Sequence, residues 1–117
     1  MHEMSLMQGV LDAVEKTARE AGAASVVEVR LTIGTMAEVE PDALRFAFEV
    51  LTDDTLCAGA KLEIAEVEPR SRCLQCGEEF AHDRFHRACP ACDALATELI
   101  AGREMYVSSI EIEEQGV

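Results

Sequence analysis

Tryptophan is absent from this chain of 117 residues, and aromatic residues make up only 4% of it. The hydrophobic core must therefore be aliphatic, and the sequence offers no row of aromatic side chains on which nucleic-acid bases could stack. Basic residues are also scarce, since ten lysines and arginines face 23 aspartates and glutamates and give a formal net charge of −13. Such a surface repels a polyanion, which argues against nucleic acid as a partner.

Long hydrophobic runs are missing as well. No stretch approaches the roughly 18 apolar residues of a membrane span, and no apolar segment follows a basic start as in a secretory signal peptide. We therefore expect a soluble, cytoplasmic protein that does not bind membranes. In that reducing compartment, the five cysteines indicate metal ligands before disulfides.

The spacing of apolar residues predicts two helices. The first has an apolar face and ends at Gly22; that face carries Met4, Met7, Leu11, Val14 and Ala18. The second begins at Pro41, because the first turn of a helix accepts proline, and it continues to about Thr52.

Three segments predict β-strands. Residues 27–33 alternate apolar and polar side chains and are rich in β-branched residues, and residues 61–68 and 105–113 show similar but weaker patterns. The economical architecture is an α+β fold in which two helices pack on one side of a small three-stranded sheet.

The segment between the last two predicted strands has a different composition. Residues 69–102 hold four of the five cysteines and two of the three histidines, and they contain too few large aliphatic residues for a core of their own. We interpret this segment as a metal-binding module inserted before the last strand. The predicted organisation is one α/β domain, formed by residues 1–68 and 103–117, and a zinc-binding module over residues 69–102.

The strongest motif is a pair of CxxC turns, Cys73-Leu-Gln-Cys76 and Cys89-Pro-Ala-Cys92, with twelve residues between them. Each turn can place two thiolates on one ion, so that two turns complete a closed tetrahedral four-sulfur shell, as in structural zinc sites. A rubredoxin-type iron site has the same spacing but usually a larger aromatic shell. A redox dithiol needs only one CxxC.

Three further residues bear on this module and its surroundings. His82 and His86 lie between the two turns, where either could replace a cysteine ligand, lie beside the cluster or make the module sensitive to pH. Cys57 has no partner in the sequence pattern and is predicted to be a small buried hydrophobic residue.

The first three residues, Met1, His2 and Glu3, offer a metal ion a primary amine, two backbone nitrogens and an imidazole. Four nitrogen donors in one plane suit Ni(II) or Cu(II) rather than zinc, magnesium or calcium. The competing interpretation is that His2 is an exposed residue before a helix whose N-cap is Ser5. No serine, cysteine or histidine pairs with a base and an orienting acid at a recognisable spacing, so we do not expect an enzyme.

The start MHEMSL, the strand VVEVRLTIG, the segment VEPDALRFAFEVL and the two CxxC turns before a closing strand resemble the HypA/HybF family of hydrogenase-maturation nickel metallochaperones. The resemblance covers essentially the whole chain. It implies delivery of Ni(II) to the precursor of the [NiFe] hydrogenase large subunit, and in some relatives to urease, with a GTPase partner of the HypB type.

The same resemblance implies particular metal ligands. Nickel would be bound by Met1, His2 and Glu3, with the carboxylate of Glu40 nearby, and a structural zinc ion would be bound by Cys73, Cys76, Cys89 and Cys92. Whether the protein is a monomer or a homodimer stays open. The alternative function is that of a zinc-ribbon adaptor that binds other proteins and carries no transferable metal.

Overall fold

The computed structural model describes residues 2–115, and these form two helices and six strands. The elements are α1 (His2–Glu20), β1 (Ala23–Gly34), α2 (Pro41–Leu51), β2 (Lys61–Val67), β3 (Arg70–Cys73), β4 (Glu79–Ala81), β5 (Thr97–Ala101) and β6 (Met105–Glu114). They make one sheet of strand order β2-β1-β6 and a second of order β4-β3-β5. Neither helix in this range is long and apolar enough to cross a membrane.

The predicted α+β architecture is confirmed, with two differences in detail. Helix α1 already begins at His2, so Ser5 lies inside the helix and is not its N-cap. The second sheet was not expected. Its strands are three to five residues long and too polar to show the alternation that identifies a half-buried strand.

The chain divides into two compact units. Unit 1 comprises Met1–Leu31, Val39–Ala65 and Val107–Val117, and unit 2 comprises Thr32–Glu38 and Glu66–Tyr106.

Unit 1 has an aliphatic core, as the composition predicted. Its buried residues include Met7, Leu11, Val14 and Ala18 of α1, Val26, Val29 and Leu31 of β1, and Leu44, Ala47 and Phe48 of α2. Cys57 is also fully buried there, and burial raises the pKa of its thiol to about 11. This cysteine therefore behaves as the predicted small hydrophobic residue.

Unit 2 is built around strand β3, which pairs in antiparallel orientation with β4 on one side and β5 on the other. Ser71 and Cys73 of β3 are buried, whereas Arg70 and Arg72 are exposed. The apolar cluster beneath this sheet is small and consists of Cys73, Phe80 and Cys89, with Ala94 packed against it.

Two glycines of unit 2 approach each other closely. A Cβ atom on Gly34 would lie 2.0 Å from the carbonyl carbon of Gly102. The Gly102 carbonyl also accepts a hydrogen bond from the Met36 N–H at 2.8 Å, and Gly102 has a φ of +123°. Larger residues cannot occupy either position without moving the backbone.

Candidate metal centres

The four cysteine sulfurs of the two CxxC turns come together in unit 2. The sulfurs of Cys73 and Cys92 are 3.6 Å apart, those of Cys76 and Cys89 are also 3.6 Å apart, and all four lie within 4.8 Å of one another. A tetrahedral zinc ion with Zn–S bonds of about 2.3 Å separates its sulfurs by about 3.8 Å. The observed spacing therefore suits a four-coordinate zinc ion.

The two turns that hold these cysteines are built alike. The Gly77 N–H donates to the Cys73 carbonyl at 3.0 Å, and the Asp93 N–H donates to the Cys89 carbonyl at 2.8 Å. Gly77 and Asp93 have φ values of +79° and +60°. Both residues therefore occupy the left-handed region, which glycine adopts freely and aspartate tolerates.

Backbone hydrogen bonds make the Cys73 thiol more acidic than an ordinary cysteine. The N–H groups of Cys76 and Gln75 point at the Cys73 sulfur from 3.5 and 3.4 Å and lower the pKa of that thiol to about 6. The Ala94 N–H also favours a Cys92 thiolate, but hydrogen bonds with the Cys73 and Cys89 thiols outweigh it and raise the pKa of Cys92 to about 12. Adjacent sulfurs cannot all ionise without a nearby positive charge, and a divalent cation supplies that charge.

Burial divides the cluster into two halves. Cys73 and Cys89, the first cysteine of each turn, are 1% and 0% exposed. Cys76 and Cys92, the second cysteine of each turn, are exposed. A bound ion would therefore be anchored on the protein side and reachable from solvent on the other.

The two histidines of the module have partners other than the sulfurs. His82 Nδ1 lies 2.6 Å from the Asp83 carbonyl and His82 Nε2 lies 2.7 Å from the Ser71 hydroxyl. Because a carbonyl only accepts, Nδ1 carries the proton and Nε2 accepts from the hydroxyl. His86 Nδ1 lies 2.8 Å from the Asp83 carboxylate. Neither histidine is part of the group that could hold a metal, and the described residues 2–115 contain no other group of three or more His, Cys, Asp and Glu side chains close enough to do so.

Two of the predicted nickel ligands, His2 and Glu3, lie in unit 1 at the start of α1. Met1 falls outside the described residues. The His2 side chain is 57% exposed, and its Nε2 lies 3.8 Å from a carboxylate oxygen of Glu3, whose side chain is only 13% exposed. The imidazole is therefore open to solvent, and the neighbouring carboxylate is held against the protein.

Glu3 also contacts the start of the second helix. Its carboxylate accepts a hydrogen bond from the Glu40 N–H at 3.3 Å, and the N–H groups of Glu3 and Glu40 lower the pKa of the Glu3 carboxyl. Glu40 is the N-cap of α2, and its own carboxylate accepts weakly from the Asp42 N–H at 3.5 Å. The fold thus brings together Glu3 and Glu40, two of the four residues predicted for the nickel site.

Sequence reasoning missed two residues that shape the module. Asp93 takes the place that glycine has in the first turn, and its role was not predicted from the sequence. Asp83 accepts hydrogen bonds from the Phe85 and His86 N–H groups, both at 2.8 Å. An aspartate whose side chain can accept hydrogen bonds from the backbone N–H groups two and three residues later is a turn signal that could have been recognised in the sequence.

Comparisons with known proteins agree on one family. The family model described as "Hydrogenase/urease nickel incorporation, metallochaperone, hypA" matches residues 1–112. Hydrogenase maturation factor HypA of Acidithiobacillus ferrooxidans is 42% identical and that of Dechloromonas aromatica 44% identical, each over 97% of this chain and 100% of the relative.

The similarity extends to the fold. The solution structure of the Ni metallochaperone HypA from Helicobacter pylori matches with a TM-score of 0.68 and 22% identity over 98% of this chain and 100% of that one. A second solution structure of a HypA protein matches with a TM-score of 0.75 and 23% identity, over 98% of both chains.

Proposed function

Because the chain belongs to the HypA family of nickel-incorporation metallochaperones, we propose that it binds Ni(II) at its N-terminus and delivers it to the precursor of the [NiFe] hydrogenase large subunit. The observation that carries this proposal is the arrangement at the start of α1, where an exposed imidazole lies beside an anchored carboxylate. The ligands are Met1, His2 and Glu3, and Glu40 supports them by holding Glu3.

The donor set is one that suits nickel. The first amides of a helix have no acceptor within the helix, so the backbone nitrogens of His2 and Glu3 are free of the helical hydrogen-bond ladder. An amine, an imidazole and amide nitrogens form a strong field that suits Ni(II). These groups must lose protons to bind, so the affinity for the ion falls as the pH drops.

Release follows from the same geometry. Because the His2 side chain is more than half exposed, ligands of an acceptor protein can approach the ion from the solvent side. Cu(II) binds such nitrogens more tightly than Ni(II) does, so these donors alone cannot provide selectivity. Selectivity depends on which metal is available and on which partner docks.

The second metal is a structural zinc ion bound by Cys73, Cys76, Cys89 and Cys92. Four thiolates close its coordination shell, so it has no position for a substrate, and we assign the protein no catalytic activity. The protein works in the cytoplasm with a hydrogenase-maturation GTPase of the HypB type, as a monomer or a homodimer. Urease is a second destination for its nickel.

The proposal is tested by nickel binding to the zinc-loaded, tag-free protein, measured by isothermal titration calorimetry at neutral pH. The wild type should bind a single Ni(II) ion, and both His2→Ala and a variant with one residue added before Met1 should lose that binding. His86→Ala is the matched control, because His86 is an exposed histidine in unit 2.

The opposite result would point to a different function. If the wild type takes up no nickel, or if His2→Ala binds it as well as the wild type does, the chaperone function is wrong. The four-cysteine cluster would then support the alternative function, a zinc-ribbon adaptor without transferable metal.

A further inference from the structure

The solvent side of α2 carries two large apolar side chains. Phe46 is 62% exposed and Val50 is 50% exposed. Successive residues of a helix are turned by about 100°, which places Phe46 opposite the buried face formed by Leu44, Ala47 and Phe48. Residues four apart on a helix are neighbours, so Phe46 and Val50 form one apolar strip.

Acidic side chains frame this strip. Asp42 and Glu49 are exposed, and their positions four before and three after Phe46 put both on the same side of the helix. The exposed basic residue of the helix, Arg45, points toward β2, because its guanidinium donates to the Leu62 carbonyl at 3.4 Å. The acidic residues and the apolar strip together are called the acidic-apolar face of α2.

This face departs from the ordinary surface of a small soluble protein. The chain has only four phenylalanines and one tyrosine, and an aromatic ring that is 62% exposed contributes little to the core. Single exposed apolar residues need no explanation. A paired strip on a helix that is anchored by three buried residues is different, because a rigid surface loses little entropy when it binds.

We propose that the acidic-apolar face of α2 docks a partner protein whose surface presents an apolar hollow rimmed by lysine and arginine side chains. Helices commonly bind in this way, with apolar residues at positions i and i+4 in a groove. Charge complementarity selects the occupant. A second copy of this chain would place its own acidic residues against these, and the net charge of −13 makes such pairing unfavourable.

The position of the face gives it a role in nickel delivery, and this step rests on the proposed function. Helix α2 begins next to Glu40, whose N–H holds the Glu3 carboxylate. Phe46 is six residues further along, which is about 9 Å at 1.5 Å per residue. A protein seated on this face therefore lies beside the nickel-binding terminus, so the partner is a protein that takes part in the transfer.

The test measures binding of the zinc-loaded protein to two probes, the hydrogenase-maturation GTPase and the hydrogenase large-subunit precursor, by biolayer interferometry. Phe46→Ala should weaken binding to at least one probe by roughly tenfold or more, as truncation of an aromatic hot spot does. Phe85→Ala is the matched control, because Phe85 is an 81% exposed phenylalanine of unit 2. It should bind both probes like the wild type.

A second variant tests the charges. Replacing the two acidic residues by their amides, Asp42→Asn and Glu49→Gln, should slow association and reduce its dependence on salt, because rim charges act mainly on the association rate. Both effects should appear while the dissociation rate changes little.

Several results would overturn the inference. It fails if neither probe binds the wild type, if Phe46→Ala binds both probes normally, or if the amide variant keeps the full salt dependence. It also fails if sedimentation shows that the wild type self-associates through Phe46, because the occupant would then be a second copy. Nickel uptake, measured on the same samples, separates the two proposals: the docking variants should keep it, and its loss in the wild type would reject the chaperone function itself.

Discussion

Removing the metal from the four-cysteine cluster should unfold unit 2 and leave unit 1 folded. The large buried apolar side chains of unit 2 include Ile33, Met36 and Phe80, and each contributes about 1.5–3 kcal/mol on burial. Their sum stays below the apparent contribution of a structural zinc ion, about 10–16 kcal/mol. A zinc ion bound there would therefore be the largest single stabilising contribution to unit 2.

The assay is hydrogen exchange of backbone amides, followed by NMR before and after dialysis against a strong chelator. Amides of β3, β4 and β5 should lose protection, whereas amides of α1, α2 and the centre of β1 should keep it. Cys92→Ser gives the same test without a chelator, because Cys92 is exposed and its replacement removes a ligand without disturbing the core. Cys57→Ala is the control, since it removes a buried thiol from unit 1 and should retain the metal.

The reasoning is refuted if β3, β4 and β5 stay protected in protein that elemental analysis shows to be free of metal. Unit 2 would then be stable through its sheet and its small apolar cluster alone. Equal loss of protection in both units would also contradict it, because the core of unit 1 would then depend on the metal.

The two remaining predictions concern the CxxC turns and the start of α1. Gly77→Ala should lower the free energy of unfolding of the zinc-loaded unit 2 by about 1–2 kcal/mol, because alanine is disfavoured at positive φ. Asp93→Gly should leave this free energy unchanged or raise it slightly. Urea unfolding of both variants measures these effects. The backbone N–H groups of Glu3 and Glu40 donate to the Glu3 carboxylate and lower the pKa of Glu3 below its ordinary value of 4.5. The hydrogen bond from the Glu40 N–H to the Glu3 carboxylate should therefore be complete above pH 4.5 and be lost as the pH falls through the lowered pKa. The amide chemical shift of Glu40 reports this loss in an acid titration. Glu3→Gln should abolish this titration of the Glu40 shift.

The first sheet and both helices could be predicted because their patterns are local. The α1 stripe that ends at Ala18 and the alternation around Val29 each follow from one short segment. Burial confirms the expected faces except at Val27, which is 44% exposed. The second sheet could not be predicted in this way. Strand β3 is the four-residue segment RSRC, and β4 and β5 have only three and five residues, so their pairing depends on tertiary contacts within unit 2.

The metal ligands also differ in whether a local sequence pattern predicts their arrangement. The sulfur cluster follows from the spacing of the cysteines, because each CxxC turn is a local structure, and the family resemblance found in the sequence is confirmed. The contact between Glu3 and Glu40 joins residues 37 positions apart, and spacing alone gives no sign of it. The nickel ligands themselves stay a prediction.

The uneven burial of the four sulfurs bears on how nickel experiments should be prepared. Cys76 and Cys92 face the solvent, so a competing chelator could replace these two ligands of a bound zinc ion one after the other. A sample stripped of zinc then offers incoming nickel a second, thiolate-rich destination. Stoichiometries measured on such a sample would count ions on the cysteines together with any ions at the proposed terminal site, and zinc saturation before each nickel titration would keep the two populations apart.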